Sequence, residues 1–229
     1  MEIVKKYTAK ELSRFIDHTL LKPEATSLQI KKLCEEAMTH QFFGVCVNSH
    51  FVSLAHQFLN ASPVKVISVV GFPLGAMMTL AKAHETALAV KAGSDEIDMV
   101  LNVGLMKEKN FKQATEDIRQ VVKAAEGKTV KVILETCLLT DEEKVSACQC
   151  SQEAGAHFVK TSTGFSTGGA TLNDVQLMKK TVGTALQVKA SGGIKNTQQA
   201  LDYIAAGATR LGTSSGIALI QGLESTGGY

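Results

Sequence analysis

Residues 158 to 165 read Phe-Val-Lys-Thr-Ser-Thr-Gly-Phe and place a lysine inside a short apolar run that ends in small hydroxyl residues and a glycine. A second run, Leu-Gln-Val-Lys-Ala-Ser-Gly-Gly at 186–193, repeats this arrangement. Lysine is seldom fully buried without a partner or a function. An amine in a low-dielectric site loses its proton more readily and becomes a nucleophile toward carbonyls. The pair Lys160 and Lys189 therefore favours a Schiff-base enzyme over two ordinary strand lysines with their amines in solvent.

Short apolar runs of this kind alternate with amphipathic segments along the whole chain of 229 residues. Eight runs predict strands, at 15–20, 44–48, 64–70, 96–101, 130–136, 158–162, 186–191 and 210–213. Helical patterns lie at 28–39, 49–59, 79–91, 110–125, 141–153, 172–181, 197–205 and 217–221. Eight such units predict an α/β fold, a single (β/α)8 TIM barrel over 1–229. An open doubly wound sheet is the alternative, but the Gly-rich dinucleotide turn expected after an early strand is missing.

Cap signals support these boundaries. Thr140 begins a capping box, and Ser27 and Thr171 are predicted N-caps. Four glycines suit the position after a helix end, namely Gly93, Gly127, Gly155 and Gly207. Outside the barrel we predict an N-terminal helical extension over 1–14 and a flexible tail over 222–229.

Composition excludes several function classes. A net charge of +2 without a basic block argues against nucleic acid, and no apolar run reaches membrane-spanning length. The N-terminus shows no signal-peptide pattern, so we expect a cytoplasmic protein. The five cysteines are expected to be free thiols, and neither they nor the six histidines show the spacing of a metal site.

Side-chain alternation within the predicted strands indicates which residues point into the barrel. A barrel interior is normally filled by branched apolar side chains. Here Glu96 and Lys131 share the inner face with Asp17, Thr19, Cys46, Asn48, Asp98, Glu135, Lys160 and Lys189. A buried salt-bridge network without chemistry is the alternative, although burying such charges is expensive. We expect Glu135 to pair with Lys189 and keep it charged.

Two loops have the composition of a phosphate site. Ser-Gly-Gly-Ile-Lys-Asn follows the seventh strand at 191–196, and Gly-Thr-Ser-Ser-Gly follows the eighth at 212–216. Barrels often bind phosphate with these two loops and a helix N-terminus, where backbone N–H groups can approach the anion. With Gly164 after the sixth strand, they predict a small phosphate ester as ligand.

The motifs together resemble the deoxyribose-phosphate aldolase family, in order, from about residue 15 to 216. The matching segments are DHTLLKP at 17–23, GVCV at 44–47, DEIDMV at 95–100, VKTSTGF at 159–165, KASGGI at 189–194 and GTSS at 212–215. The resemblance implies a lyase without metal or cofactor that reversibly cleaves 2-deoxy-D-ribose 5-phosphate to D-glyceraldehyde 3-phosphate and acetaldehyde. It also implies a role in deoxyribonucleotide catabolism and a homodimer.

The resemblance further assigns residues. Lys160 matches the Schiff-base lysine, Lys189 the neighbouring cation that disfavours protonation of Lys160, and Asp98 the proton relay. The terminal Tyr229 resembles a tail residue that moves a proton at the acetaldehyde carbon. Substrate-binding positions are implied for Asp17, Thr19, Cys46, Thr161, Gly164, Gly192, Gly193, Lys195, Gly212, Ser214 and Ser215.

Two other readings stay open at this level. A different Schiff-base barrel aldolase, such as a transaldolase or a keto-acid sugar aldolase, would use a ketose or pyruvate as donor. A sugar-phosphate sensor would keep the fold and the phosphate loops without turnover. The complete set of Lys160, Lys189 and Asp98 argues against the sensor.

Overall fold

The protein is a closed barrel of eight parallel strands in the computed structural model, which describes residues 7–222. Each strand is hydrogen-bonded to the next along the chain, and the eighth returns to the first. The strands are β1 Ile16–Leu20, β2 Gly44–Val47, β3 Lys65–Val70, β4 Glu96–Val100, β5 Thr129–Ile133, β6 Phe158–Lys160, β7 Gln187–Ser191 and β8 Arg210–Thr213. The predicted (β/α)8 barrel is confirmed, and the closed order excludes the open sheet.

The helices surround the barrel as the alternation predicts. They are α1 Ala9–Ser13, α2 Ser27–Thr39, α3 Val52–Leu59, α4 Thr79–Lys91, α5 Val103–Lys107, α6 Phe111–Ala124, α7 Asp141–Glu153, α8 Leu172–Val182, α9 Thr197–Ala205 and α10 Gly216–Gln221. The short α5 is additional to the prediction, while α1 lies within the predicted N-terminal extension. Between residues 7 and 222, no helix is long and apolar enough to cross a membrane. Of the predicted tail, all but Gly222 lies outside the described residues.

The main apolar core lies between the strands and the helices. The side chains that alternation assigns to the outer face, such as Val45, Met99, Val132 and Val188, are fully buried there. Burying each of them contributes about 1.5–3 kcal/mol. A separate, smaller apolar cluster contains Cys46, which the alternation assigns to the inner face. The outer layer therefore supplies the hydrophobic stabilisation and leaves the inner face available for polar side chains.

Most predicted N-caps are confirmed. Thr140 forms the capping box with Glu143, and the hydroxyl of Thr171 accepts a hydrogen bond from the Asp174 N–H at 3.0 Å. The prediction for Ser27 is wrong, because Thr26 caps α2. Thr26 is preferred because a capping box needs Glu or Gln three residues later, and Gln29 has that spacing from Thr26.

The predicted glycines after helix ends are confirmed at three of four places. Gly93, Gly155 and Gly207 follow the C-caps of their helices with φ of 105°, 83° and 110°. At the end of α6, however, Glu126 takes the left-handed position after the C-cap with φ 50°, and Gly127 is one residue further.

Two strands end two or more residues earlier than predicted. Strand β5 ends at Ile133 rather than residue 136, because Glu135 adopts a left-handed conformation with φ 56° and ψ 63°. A 3-10 turn over Thr136–Leu138 follows. Strand β6 ends at Lys160 rather than residue 162. Both early ends lie at the mouth of the barrel and shape the loops around the site described below.

Candidate active site

A buried carboxylate, Asp98, lies at the centre of the barrel interior. It accepts hydrogen bonds from Lys160 Nζ at 3.0 Å, Lys189 Nζ at 2.8 Å and Lys131 Nζ at 2.8 Å. Asp98, Lys131 and Lys189 have no solvent exposure, and Lys160 is 3% exposed. The structure thus brings together the three residues predicted to be catalytic within the described chain.

A second layer of ion pairs extends this group. Lys189 also donates to Asp17, whose other oxygen accepts from Arg210 at 3.0 Å. Arg210 reaches Glu96 at 3.1 Å, and Lys131 reaches the same Glu96 oxygen at 2.5 Å. Together with Asp98 and Lys160, these five residues form what we call the ion cluster.

The strand register explains why these side chains meet. Lys160 in β6 lies opposite Lys189 in β7, and Asp98 in β4 lies opposite Lys131 in β5. Opposite residues of parallel neighbours lie at similar height along the barrel, and these four share its inner face. Alternation in the sequence predicted this face, and the register adds the shared height.

Two carboxylates of the ion cluster, Asp98 and Asp17, are held ionised. Burial opposes the charge of Asp98, but Lys131, Lys189 and Lys160 outweigh it and hold the pKa of Asp98 well below its usual range. The pKa of Asp17 is also lowered, since Lys189 and Arg210 outweigh the effect of burial. Asp98 is therefore a resting proton acceptor.

The charge on Lys189 is held in the same way. Burial favours the neutral amine, yet the carboxylates of Asp17 and Asp98 raise the pKa of Lys189 above its ordinary value. Lys189 is thus a permanent cation beside Lys160, with Asp98 between them.

Sequence reasoning did not select three members of the ion cluster as site residues. Alternation had put Glu96 and Lys131 on the inner face, which was a usable signal. Arg210 opens β8, and its guanidinium lies 3.2 Å from the ring centre of Phe43. The inner-face position of Arg210 could have been inferred by the same alternation rule, because its neighbour Leu211 belongs to the outer core.

The predicted pairing of Glu135 with Lys189 is wrong. Oε1 of Glu135 accepts from the Thr163 N–H at 3.2 Å, and Oε2 accepts from the Thr163 hydroxyl. Glu135 has a left-handed backbone, so the side-chain alternation of β5 does not extend to it. Its side chain therefore points toward the loop after β6 rather than toward Lys189.

The loops predicted to bind phosphate meet at the mouth of the barrel. Gly164, Gly192 and Gly193 have φ of 85°, 87° and 77°, a region that glycine occupies without strain. Space around Gly193 is open within 4 Å of a hypothetical Cβ. Ser215 is the N-cap of α10, so that helix begins beside the loop after β8. Glycines with positive φ and a helix start are features that anion sites use, so the phosphate site stays a prediction.

The remaining residues predicted to contact the phosphate differ in solvent exposure. Lys195 and Ser214 are exposed, whereas Gly212 and Ser215 are buried. The Lys195 N–H is bonded to the side chain of Gln199 at 2.8 Å. Lys195 and Ser214 can therefore reach a ligand only from the solvent side.

Two predicted substrate contacts are engaged in bonds within the protein. The hydroxyl of Thr161 donates to the Ser191 carbonyl and accepts from the Ser191 N–H, both at 3.0 Å. The Thr161 side chain therefore links β6 to β7 and does not face the barrel interior. Alternation predicts this, because Thr161 shares a face with Val159, which points outward. The hydroxyl of Thr19 donates to the Asp17 carbonyl at 2.9 Å.

Cys46 lies inside the barrel near the ion cluster and is fully buried. Burial, together with the Asp98 carboxylate, raises the pKa of its thiol to about 11. Because only the thiolate attacks electrophiles, Cys46 is protected at neutral pH. Cys137, in contrast, is exposed.

We expect iodoacetamide at neutral pH to label Cys46 at least about a hundredfold more slowly than Cys137. The rate at Cys46 should rise as the pH increases toward 11, its pKa. Peptide mass spectrometry over a time course measures both rates, and Cys137→Ser provides the control without the fast site. Equal rates at the two cysteines would contradict the burial of Cys46.

Tyr229 lies outside the described residues, so its predicted role stays a prediction. Among residues 7–222 no group of three or more His, Cys, Asp or Glu side chains is arranged to hold a metal ion.

Comparison with known proteins places this fold and site in one family. The sequence pattern of the DeoC/LacD family aldolases matches residues 13–222. A deoxyribose-phosphate aldolase of Bdellovibrio bacteriovorus is 59% identical over 96% of this chain and 100% of its own length. That of Carboxydothermus hydrogenoformans is 54% identical over 97% of this chain and 99% of its own.

Solved structures agree. A putative deoxyribose-phosphate aldolase from Coccidioides immitis superimposes with a TM-score of 0.92 at 40% identity, covering 94% of this chain and 86% of that one. The tetrameric deoxyribose phosphate aldolase of Aeropyrum pernix gives 0.88 at 32% identity, covering 93% and 91%.

The chain folds as a barrel with buried lysines around one carboxylate, and the sequence pattern of an aldolase family matches it over residues 13–222. The chain therefore belongs to the DeoC/LacD aldolase family. Within that family its curated relatives carry the name deoxyribose-phosphate aldolase, so the resemblance drawn from the sequence is confirmed. The protein is accordingly an enzyme, a carbon–carbon lyase.

Proposed function

We propose that this protein reversibly cleaves 2-deoxy-D-ribose 5-phosphate to D-glyceraldehyde 3-phosphate and acetaldehyde through a Schiff base on Lys160. The observation that carries the proposal is the contact of Lys160 Nζ with Asp98, which also binds the cation of Lys189. A nucleophilic amine, a proton acceptor and a fixed positive charge are the groups that imine chemistry requires.

The pattern of ion pairs supports Lys160 as the lysine that supplies the amine. The ion cluster holds three carboxylates and four basic groups, so it is neutral when one basic group lacks its proton. Lys131, Lys189 and Arg210 each contact two carboxylates, whereas Lys160 contacts Asp98 alone among the described residues. Lys160 therefore gains least from a positive charge, which supports it as the nucleophile.

The proposed cleavage begins when the Lys160 amine adds to the C1 aldehyde of the open-chain sugar. Proton transfers through Asp98 convert the carbinolamine to an imine with loss of water. A base then removes the C3 hydroxyl proton, the C2–C3 bond breaks, and its electrons move to the iminium nitrogen. Glyceraldehyde 3-phosphate leaves, and protonation of the enamine at C2 followed by addition of water releases acetaldehyde and restores Lys160.

The state of Asp98 suits this relay. Three cationic neighbours hold its pKa low, so Asp98 is ionised at rest, and a proton that it takes from the reacting group is readily returned. Lys189 stays charged throughout, and its cation stabilises negative charge that develops on the sugar oxygen.

The glycine loops support a phosphate-bearing substrate. Backbone N–H groups near Gly164, Gly192 and Gly193, with the start of α10, would receive the phosphate, and Lys195 and Ser214 would close over it from outside. The hydroxyl of Ser162 is fully buried and has no hydrogen-bond partner among the described residues. Ser162 shares a face with Lys160 by alternation, so we add it as a contact to a sugar hydroxyl.

Further parts of the proposal rest on the family alone. We propose that no metal takes part, that Tyr229 moves the proton at the acetaldehyde carbon, and that the protein acts as a cytoplasmic homodimer in deoxyribonucleotide catabolism.

The purified protein is expected to release acetaldehyde and glyceraldehyde 3-phosphate from deoxyribose 5-phosphate in equal amounts. An alcohol dehydrogenase assay measures the first product, and a glyceraldehyde-phosphate dehydrogenase assay measures the second. Turnover should persist in EDTA. A protein that accepts a ketose phosphate or pyruvate as donor, and not acetaldehyde, would be one of the other barrel aldolases. Phosphate binding without turnover would favour the sensor.

A further inference from the structure

Glu135 is a buried carboxylate outside the ion cluster. It is 4% exposed, and among the described residues its partners are the N–H and the hydroxyl of Thr163 rather than a cation. Burying a carboxylate without a cation is unfavourable unless its hydrogen bonds are strong. The burial of Glu135 is therefore better explained by a functional role than by stability.

The backbone of Glu135 is strained as well. Its φ of 56° lies in the left-handed region, which L residues other than Asn and Asp seldom adopt. Non-glycine residues persist there when the surroundings hold them, and such positions cluster at functional sites. In this strained conformation the Glu135 carboxylate can form both hydrogen bonds to Thr163.

These bonds act on the loop that follows β6. The hydroxyl oxygen of Thr163 also accepts the Phe165 N–H at 3.0 Å, so Thr163 closes a turn around Gly164. Further along, a Cβ on Gly168 would lie 2.8 Å from the Cβ of Cys137, so the loops after β5 and β6 touch at a second point.

The far end of the same loop is held by the loop after β7. The Ala170 N–H donates to the Gly192 carbonyl at 3.0 Å. A Cβ on Gly169 would lie 2.3 Å from that carbonyl oxygen, so the approach requires glycine. The loop is thus held by Glu135 at one end and by Gly192 at the other, with Gly164 next to the Glu135 end.

We propose that Glu135 is a positioning residue that fixes the direction of the Gly164 backbone N–H toward the substrate phosphate. Through Thr163 it sets the preference of the enzyme for phosphorylated over unphosphorylated sugars. This inference rests on the proposed function, since it assumes that Gly164 belongs to the phosphate site.

The test is Glu135→Gly, because glycine adopts this φ without strain while the side chain and its carboxylate are lost. The KM for deoxyribose 5-phosphate should rise between about tenfold and a hundredfold, the effect expected when a binding group is misplaced. The KM for unphosphorylated 2-deoxyribose, and kcat for both, should change by less than about threefold.

Glu126→Gly is the matched control. Glu126 is also left-handed, with φ 50°, but it is exposed at the end of α6. This variant should keep both KM values. If Glu135→Gly folds poorly, Thr163→Val removes the hydroxyl bonds to Glu135 and to the Phe165 N–H and keeps the Thr163 N–H bond, whereas Thr163→Ser retains all of them. The valine variant should then reproduce the phosphate-specific loss and the serine variant should reverse it.

Equal changes of KM for both sugars in Glu135→Gly or Thr163→Val would overturn the proposal, as would no change at all. Failure of the proposed function would look different. In that case the wild-type protein itself would turn over neither sugar.

Discussion

Replacement of Lys160 by methionine is expected to lower kcat by at least about 10⁴-fold, because the proposed imine nitrogen is lost and Lys131 and Lys189 are each paired with two carboxylates. Stability should not fall with activity. Lys160 contacts one carboxylate, and its removal leaves three carboxylates facing three basic groups. Steady-state kinetics and a thermal melt of Lys160→Met measure the two effects.

The matched control is Lys112→Met, which changes an exposed lysine on α6 and should leave kcat unchanged. If the buried charges formed a purely structural network, Lys160→Met would destabilise the protein and leave residual turnover proportional to the folded fraction. A folded Lys160→Met variant with more than about one percent of wild-type kcat would contradict the role of Lys160.

Asp98→Asn should impair both activity and stability. The amide cannot relay protons, so kcat should fall by about 10²–10⁴-fold. The amide also leaves three buried lysines without their shared carboxylate, and breaking a buried ion pair in this way costs about 3–5 kcal/mol of unfolding free energy. Urea titration measures the loss of stability, and kinetics under folding conditions measure kcat.

The stability difference between wild type and Asp98→Asn depends on pH with a defined sign. The folded-state pKa of Asp98 is lowered, so its contribution is complete above the ordinary carboxyl value of 3.8 and declines as the pH falls through the folded value. The difference in unfolding free energy should therefore be constant at neutral pH and shrink only in strong acid.

Asp117→Asn is the control for Asp98→Asn. Asp117 is buried on α6 and pairs with the buried Lys82 of α4 at 2.6 Å, outside the barrel. It should lose comparable stability with little change in kcat. If the two variants lost kcat equally while folded, Asp98 would have no special part in the chemistry.

The barrel could be predicted because its signals are local. Each strand is a short apolar run between helices with recognisable caps, and alternation within a run such as 96–100 separates Ile97 and Met99 from Glu96 and Asp98. The errors fall where local preference loses to a tertiary contact. Glu135 lies within the run predicted as a strand at 130–136, yet its backbone is left-handed and its carboxylate binds Thr163 in the next loop.

The site could be predicted in part for a related reason. Motifs and alternation identified Lys160, Lys189 and Asp98, but not the partner of each charge, because partners depend on register and on side-chain reach. The Lys82–Asp117 pair shows the limit. The two residues lie on different helices and are 35 residues apart, so nothing in the sequence indicates that they are buried together.

The assignment of Lys160 as the Schiff-base residue can be tested by incubating the protein with acetaldehyde and borohydride and mapping the modified peptide by mass spectrometry. Borohydride reduces an imine to a stable N-ethyl-lysine. Lys160 should carry the ethyl group, and deoxyribose 5-phosphate with borohydride should modify the same lysine, since its cleavage passes through an imine on Lys160. An unlabelled protein, or a label spread over surface lysines such as Lys112, would contradict the assignment of Lys160 as the Schiff-base residue.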